Sequence, residues 1–222
     1  MLLQLLRNGF SAEMVVGVLS SIFVVFCTLP IHEYAHALVA DKLGDGTARL
    51  NGRLTISPFA HLDLIGCLMI ILVGFGYAKP VPVNMRNFKN PKAGMAIVAL
   101  AGPVSNLIMA FLFLVLRCVC IVFGGSNFTE LLAFFFYYAA YINISLAVFN
   151  LLPIPPLDGS RLVTALIPNK YYFKIMQYER YIMIGLFVLL LTGILSTPLG
   201  TLSNLVLKGL LRLAALPFMH MV

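Results

Sequence analysis

The stretch Pro30-Ile-His-Glu-Tyr-Ala-His36 sets two histidines and a glutamate inside a run of sequence greasy enough to cross a bilayer. Upstream lies Met14 to Leu29, almost wholly apolar; downstream, Ala37-Leu-Val-Ala40 precedes the first charges at Asp41 and Lys42. Ionisable groups in hydrocarbon cost several kcal/mol unless something compensates, so their presence points to function. On a helix His32 and His36, four residues apart, share one face and can hold a single Zn²⁺, with Glu33 one step round and placed to take a proton from water. A histidine pair is often only a polar helix face, and such a pair needs a third ligand from elsewhere. Here the apolar flanks make a bound dication the natural compensation.

Of the 222 residues, 61% are hydrophobic and 10% charged, and no polar block is long enough for a separate soluble domain. The expectation is an all-α polytopic membrane protein of one domain, 1–222, with a core of about 12–195 and an accessory helix in 196–222. The first apolar run carries the histidines and lacks a small-x-small cleavage site, so it is not a removable signal peptide. Cys27, Cys67, Cys118 and Cys120 lie in apolar segments without zinc-type spacing and are expected to serve as small hydrophobes. The net charge of +7 does not imply nucleic acid, because the lysines and arginines punctuate apolar segments as they do beside anionic lipid headgroups.

Four to five membrane helices are expected. The first spans about Glu13 to Leu43, and His32 and His36 precede Lys42 by ten and six residues, roughly 9–15 Å of helix below that interface. Asn51-Gly52, between β-prone pieces of Gly44 to Pro58, predicts a β-hairpin dipping into the membrane. The apolar run Leu64 to Tyr77 is too short to span; parity with the basic loop Lys79 to Lys92 makes it re-entrant. Further spans are expected over about Ala93–Phe123, Thr129–Leu152 and Ile175–Leu195, while Leu199–Leu216 suits either a short span or a helix lying in the interface. With the exceptions of Arg7, Arg117, Lys208 and Arg212, every lysine and arginine then falls on the histidines' side, which predicts that side to be cytoplasmic. Asn150-Leu-Leu-Pro-Ile-Pro-Pro-Leu-Asp158-Gly159 ends the third span on the same side, so Asp158 arrives at the depth where a third ligand is needed.

Three ordered motifs, His32-Glu33-x-x-His36, Ala101-Gly-Pro-x-x-Asn106 and Asn150-x-x-Pro-x-x-Pro-Leu-Asp158-Gly159, resemble the site-2 protease family of intramembrane zinc metalloproteases. Gly52-Arg-Leu-Thr-Ile-Ser-Pro-Phe-Ala-His-Leu-Asp63 and Ala78-Lys-Pro-Val-Pro-Val-Asn84 are similar to its compact bacterial and archaeal members. The resemblance implies one Zn²⁺ per chain on His32, His36 and Asp158, Glu33 as general base, and a substrate or transition-state role for Asn150. It implies hydrolysis of peptide bonds in or near transmembrane segments of membrane-protein substrates, in a bacterial or archaeal cell membrane. Asn106 is expected to bond between helices, and His61 and Asp63 to line the cavity or support the re-entrant segment. Neither a PDZ nor a CBS module has room between or after these motifs. A different membrane zincin is disfavoured, because the later glutamates Glu130 and Glu179 lack a ligand setting. The rival of another class is a non-catalytic membrane metal-binding or transport protein, which would need neither Glu33 nor an Asp-Gly after a broken helix.

Overall fold

The computed structural model describes residues 12–61, 79–167 and 177–219, and its regular elements are all helical. Helix α1 (Ala12–Phe23) runs through a π-helical turn (Val24–Thr28) into α2 (Leu29–Lys42), a continuous rod of 31 residues. The wide turn has a local cause. Pro30 lacks an N–H, and its ring crowds the carbonyl four residues back, so the helix loosens just before it. The Leu29 N–H reaches back five residues to Val24 O, and Thr28 Oγ1 donates to the same carbonyl at 3.1 Å.

After the short helices α3 (Thr47–Leu50) and α4 (Pro58–His61) and a 3₁₀ turn (Met85–Asn87), the chain enters α5 (Pro91–Phe123). Its start is fixed by Asn90, whose side chain accepts from the Ala93 N–H, and by Pro91 in the first turn. A turn at Gly124 and Gly125 leads to α6 (Asn127–Asn150). There Ser126 and Thr129 cap each other reciprocally, side chain to backbone N–H. Helices α7 (Asp158–Leu166), α8 (Glu179–Leu191) and α9 (Ser196–Ala215) follow, α9 ending in a 3₁₀ turn at Leu216–Phe218.

The α5–α6 hairpin forms the centre, and α1, α2 and α9 all pack against it. Fully buried Ala110, Ala139 and Ala140 let the helices approach closely around Leu114 and Ile144. The outer face is the reverse of a soluble protein's. Ile97, Leu100, Val104, Ile108, Leu112, Leu116, Val119 and Phe123 form an exposed apolar stripe along α5 at helical spacing, while Asn106 on the inner face is fully buried. Lipid is the solvent such a surface requires. Among the described residues, four helices are long and apolar enough to span: Ala12–Lys42, Pro91–Phe123, Asn127–Asn150 and Ser196–Phe218.

The expected β-hairpin is corrected. Residues 44–58 contain no strand, and Asn51-Gly52 ends a helical turn instead. Gly52 takes φ +65°, its N–H bonds to Arg49 O, and the Arg53 N–H reaches Ala48 O, which together make a Schellman cap. The same Asn-Gly pair suits a hairpin and a helix end, because both need a residue at positive φ. What selects the helix is Asp45, whose carboxylate accepts from the Thr47 N–H and hydroxyl and so starts the turn. The expected re-entrant run 64–77 lies outside the described residues. In the expected span 175–195 the described helix is Glu179–Leu191, about 20 Å long, and the chain turns at Gly193, φ +75°. Residues 199–216, ambiguous in the sequence, lie within a 23-residue helix of span length.

Candidate metal centre

Helix α2 carries His32, Glu33 and His36, all buried, at the level where α5 crosses it. Asp158 comes from much later in the chain, as the first residue of α7. It is brought in by the broken backbone after α6 and held by the glycine that follows. A Cβ on Gly159 would stand 2.2 Å from Leu151 O and 2.5 Å from Leu152 O, so only glycine lets α7 start this close to the end of α6.

Three ligand atoms converge. His32 Nε2 and His36 Nε2 are 3.1 Å apart, and Asp158 Oδ2 lies 3.3 Å from the first and 3.2 Å from the second. Tetrahedral zinc with bonds of about 2.0–2.1 Å needs ligand separations of about 3.3–3.4 Å. The triangle therefore fits the ion almost without adjustment. The back of one ring is fixed as well: His36 Nδ1 donates to Val98 O of α5 at 2.7 Å, which leaves its Nε2 lone pair facing inward. Asp158 Oδ2, though close to both imidazoles, is buried without a well-formed hydrogen bond, as a ligand oxygen would be. Burial works against ionisation of Asp158, but contact with His32 and His36 outweighs it and holds the carboxyl well below the usual carboxylate range. Gly102 of α5 faces both rings with no side chain between.

Glu33 sits beside this triangle with one oxygen already engaged, Oε2 accepting from the Val81 N–H at 3.2 Å. Val81 belongs to a segment without regular structure, pinned at both ends. At one end the Lys79 N–H donates to His61 O at 2.8 Å, and the buried Arg53 guanidinium donates to the carbonyls of Ala60, Lys79 and Pro80. At the other, Asp45 accepts from the Asn84 N–H and from Asn87 Nδ2, each at 2.7 Å.

The remaining expected site residues are placed differently. His61 is fully buried, binds Thr55 O through Nε2 at 2.7 Å, and stands outside the ligand triangle. Asn106 is fully buried on α5, one helical turn beyond Gly102, and neither amide atom has a partner among the described residues. Asn150 is half-buried as the last residue of α6, and Asp63 lies outside the described residues. Sequence reasoning overlooked the contributions made by backbone, namely Val98 O, the Val81 N–H and the bare face of Gly102. Only the last left a trace, in the Ala101-Gly102-Pro103 triplet, which the sequence presents as ordinary small-residue packing.

Among the described residues, four span-length helices and a His-His-Asp cluster with both histidines buried define a multi-pass membrane protein with a candidate zinc site. The profile of peptidase family M50 matches residues 118–192. YwhC of Bacillus subtilis, provisionally named a zinc metalloprotease, is 40% identical over 195 residues, covering 86% of this chain and 89% of that protein. The chain therefore belongs to peptidase family M50, the site-2 protease family, and is a membrane zinc metalloprotease. MJ0611 of Methanocaldococcus jannaschii, with the same provisional name, is 31% identical over 133 residues, 60% of this chain and 62% of its own length. Rip2 of Mycolicibacterium smegmatis, likewise so named, is 32% identical over 137 residues, 60% of this chain and about half of that protein, 51%. No solved structure matches the chain.

Proposed function

We propose that this protein is an intramembrane endopeptidase that hydrolyses peptide bonds in or near transmembrane segments of other membrane proteins, with its catalytic centre opening toward the cytoplasmic side. The observation that carries the reading is the His32–His36–Asp158 triangle, its two histidines buried with Glu33 among helices whose outer faces are apolar. His32, His36 and Asp158 hold one zinc ion, which when bound polarises the scissile carbonyl and acidifies water. Glu33 is the general base. The Val81 N–H fixes its Oε2, and Oε1, with no hydrogen bond among the described residues, is left to accept the proton and deliver it to the leaving amine. Val98 O keeps the His36 ring in the tautomer that presents Nε2 inward.

Asn150, at the end of α6 shortly before the broken segment that delivers Asp158, is assigned to the substrate or its transition state. Substrate helices must unwind locally before their amides become accessible, so helix-breaking residues near the scissile bond promote cleavage. The cytoplasmic assignment rests on the lysine and arginine bias of the sequence.

The test is reconstitution of purified protein with zinc and a single-span substrate. Glu33→Gln is expected to keep about one zinc per chain and to lose roughly 10²–10⁴-fold in cleavage rate. A Glu33→Gln protein that cleaves at the wild-type rate sinks the assignment. Zinc passage across the liposome without any proteolysis would favour a transport protein instead.

A further inference from the structure

We infer that Gly102 is a positioning residue for the metal: the absence of a side chain there keeps open the space between the two histidine ligands, and any larger residue closes it. An ideal Cβ built on Gly102 would stand 2.3 Å from His36 Nε2, 2.6 Å from His32 Nε2 and 2.5 Å from His32 Cε1. The distances to the two nitrogens come within about half an ångström of a zinc–nitrogen bond of about 2.0–2.1 Å. A methyl group at this point competes for the volume that an ion needs. The inference rests on the His32–His36–Asp158 site.

The other crowded glycines show why this one concerns metal rather than fold. A Cβ on Gly159 strikes the carbonyls of Leu151 and Leu152, and one on Gly124 strikes Cys120 O at 2.1 Å; backbone cannot step aside cheaply. A Cβ on Gly94, on the same helix as Gly102, meets the root of the buried Phe88 side chain, Cγ at 2.7 Å and Cβ at 2.9 Å, which cannot swing clear without moving the backbone. At Gly102 the three nearest atoms are all ring tips of the two histidines. Ring tips can swing. A substitution at Gly102 is therefore relieved by rotating the imidazoles, which preserves the helices and dismantles the ligand triangle. The wall is also registered by its neighbour one turn earlier, because Val98 O on the same face of α5 holds the back of the His36 ring. One turn of α5 thus meets the histidines twice, through a carbonyl behind one ring and a missing side chain before both.

Gly102→Ala tests this in the full-length protein in detergent or nanodiscs. Zinc content, cobalt-substituted absorption and melting temperature with EDTA or with zinc are compared among wild type, Gly102→Ala and Gly94→Ala. Expected for Gly102→Ala are a wild-type melting temperature in EDTA, about 10–100-fold weaker zinc binding, altered or lost tetrahedral cobalt bands and less stabilisation by zinc. Gly94→Ala is expected to lose stability in EDTA while keeping zinc and the cobalt spectrum. Wild-type zinc content and cobalt bands in Gly102→Ala overturn the inference and leave the site itself standing; absence of zinc from the wild type overturns the site. If Gly102→Ala melts early in EDTA, the His32→Ala/His36→Ala background decides. Shortening both rings should remove the added cost of Gly102→Ala, and a cost that persists assigns Gly102 to the fold and overturns the inference.

Discussion

Two aspartates, Asp45 and Asp158, show how this molecule separates structure from chemistry. Asp45 is fully buried, and both of its oxygens are occupied. Oδ1 accepts from the Thr47 N–H and hydroxyl and from Asn87 Nδ2, and Oδ2 from the Asn84 N–H. Asp158 is half-buried with its Oδ2 turned inward, yet that oxygen faces two imidazole nitrogens and accepts no well-formed hydrogen bond. Donors already in the fold compensate the first charge, which closes a loop. The second leaves a shortfall that a cation would fill. A buried carboxylate declares its role by what remains unsatisfied around it.

Asp158→Ala draws this contrast most sharply. It removes one of three ligands, and zinc per chain is expected to fall from about one to below about a tenth with complete loss of cleavage, while melting in EDTA stays at the wild-type value. Elemental analysis alongside calorimetry checks both, and a zinc-replete Asp158→Ala protein would erase the distinction. Asp45→Ala should do the opposite. Stranding the Asn84 N–H and Asn87 is expected to cost about 2–4 kcal/mol of stability, with zinc content unchanged in the folded fraction.

The same contrast extends to pH. Burial would raise the Asp45 carboxyl, but bonds from Thr47, Asn84 and Asn87 outweigh it and hold the group below the ordinary carboxylate range. Its contribution is then fully present above the unfolded value of about 3.9 and is lost as pH falls through the lower folded value. Melting temperatures of wild type and Asp45→Asn should differ at pH 7 and converge below about pH 4. A gap that stays constant across that range would show that the knot does not depend on the Asp45 charge.

The helices and the ligand set were legible in the sequence because both follow from strong local constraints. Long apolar runs have no other stable state, and H-E-x-x-H has one geometry on a helix. Asp158 could be matched to the histidines by parity alone, which needs only directions and depths. The β-hairpin was misjudged because Asn51-Gly52 specifies a positive φ and not the element around it. The deciding bond, from Thr47 to Asp45, lay a full turn or more ahead of that turn signal. Backbone contributions were invisible for a different reason. Val98 O, the Val81 N–H and the bare Gly102 face have no side-chain signature, so only the packed structure reveals which peptide group meets which ring.

The smallest expected effect sits at the junction of the two regions, where the segment anchored by Asp45 reaches the chemistry. Val81 donates its N–H to Glu33 Oε2, while Arg53 binds the carbonyls of Lys79 and Pro80 just before it. Val81→Pro deletes that donor in a segment without regular structure already flanked by Pro80 and Pro82, where Pro82 biases the residue before it toward extended backbone. No ligand is touched, so zinc content and the cobalt spectrum should match wild type. What is lost is one hydrogen bond to an ionised carboxylate, about 1.5–3 kcal/mol where its full value is realised. Part of it is regained by rotation of Glu33 or by water, so kcat is expected to fall roughly tenfold with KM little changed. If kcat holds while KM rises, the segment serves substrate binding instead, and the tie between the Asp45 knot and Glu33 is one of position alone.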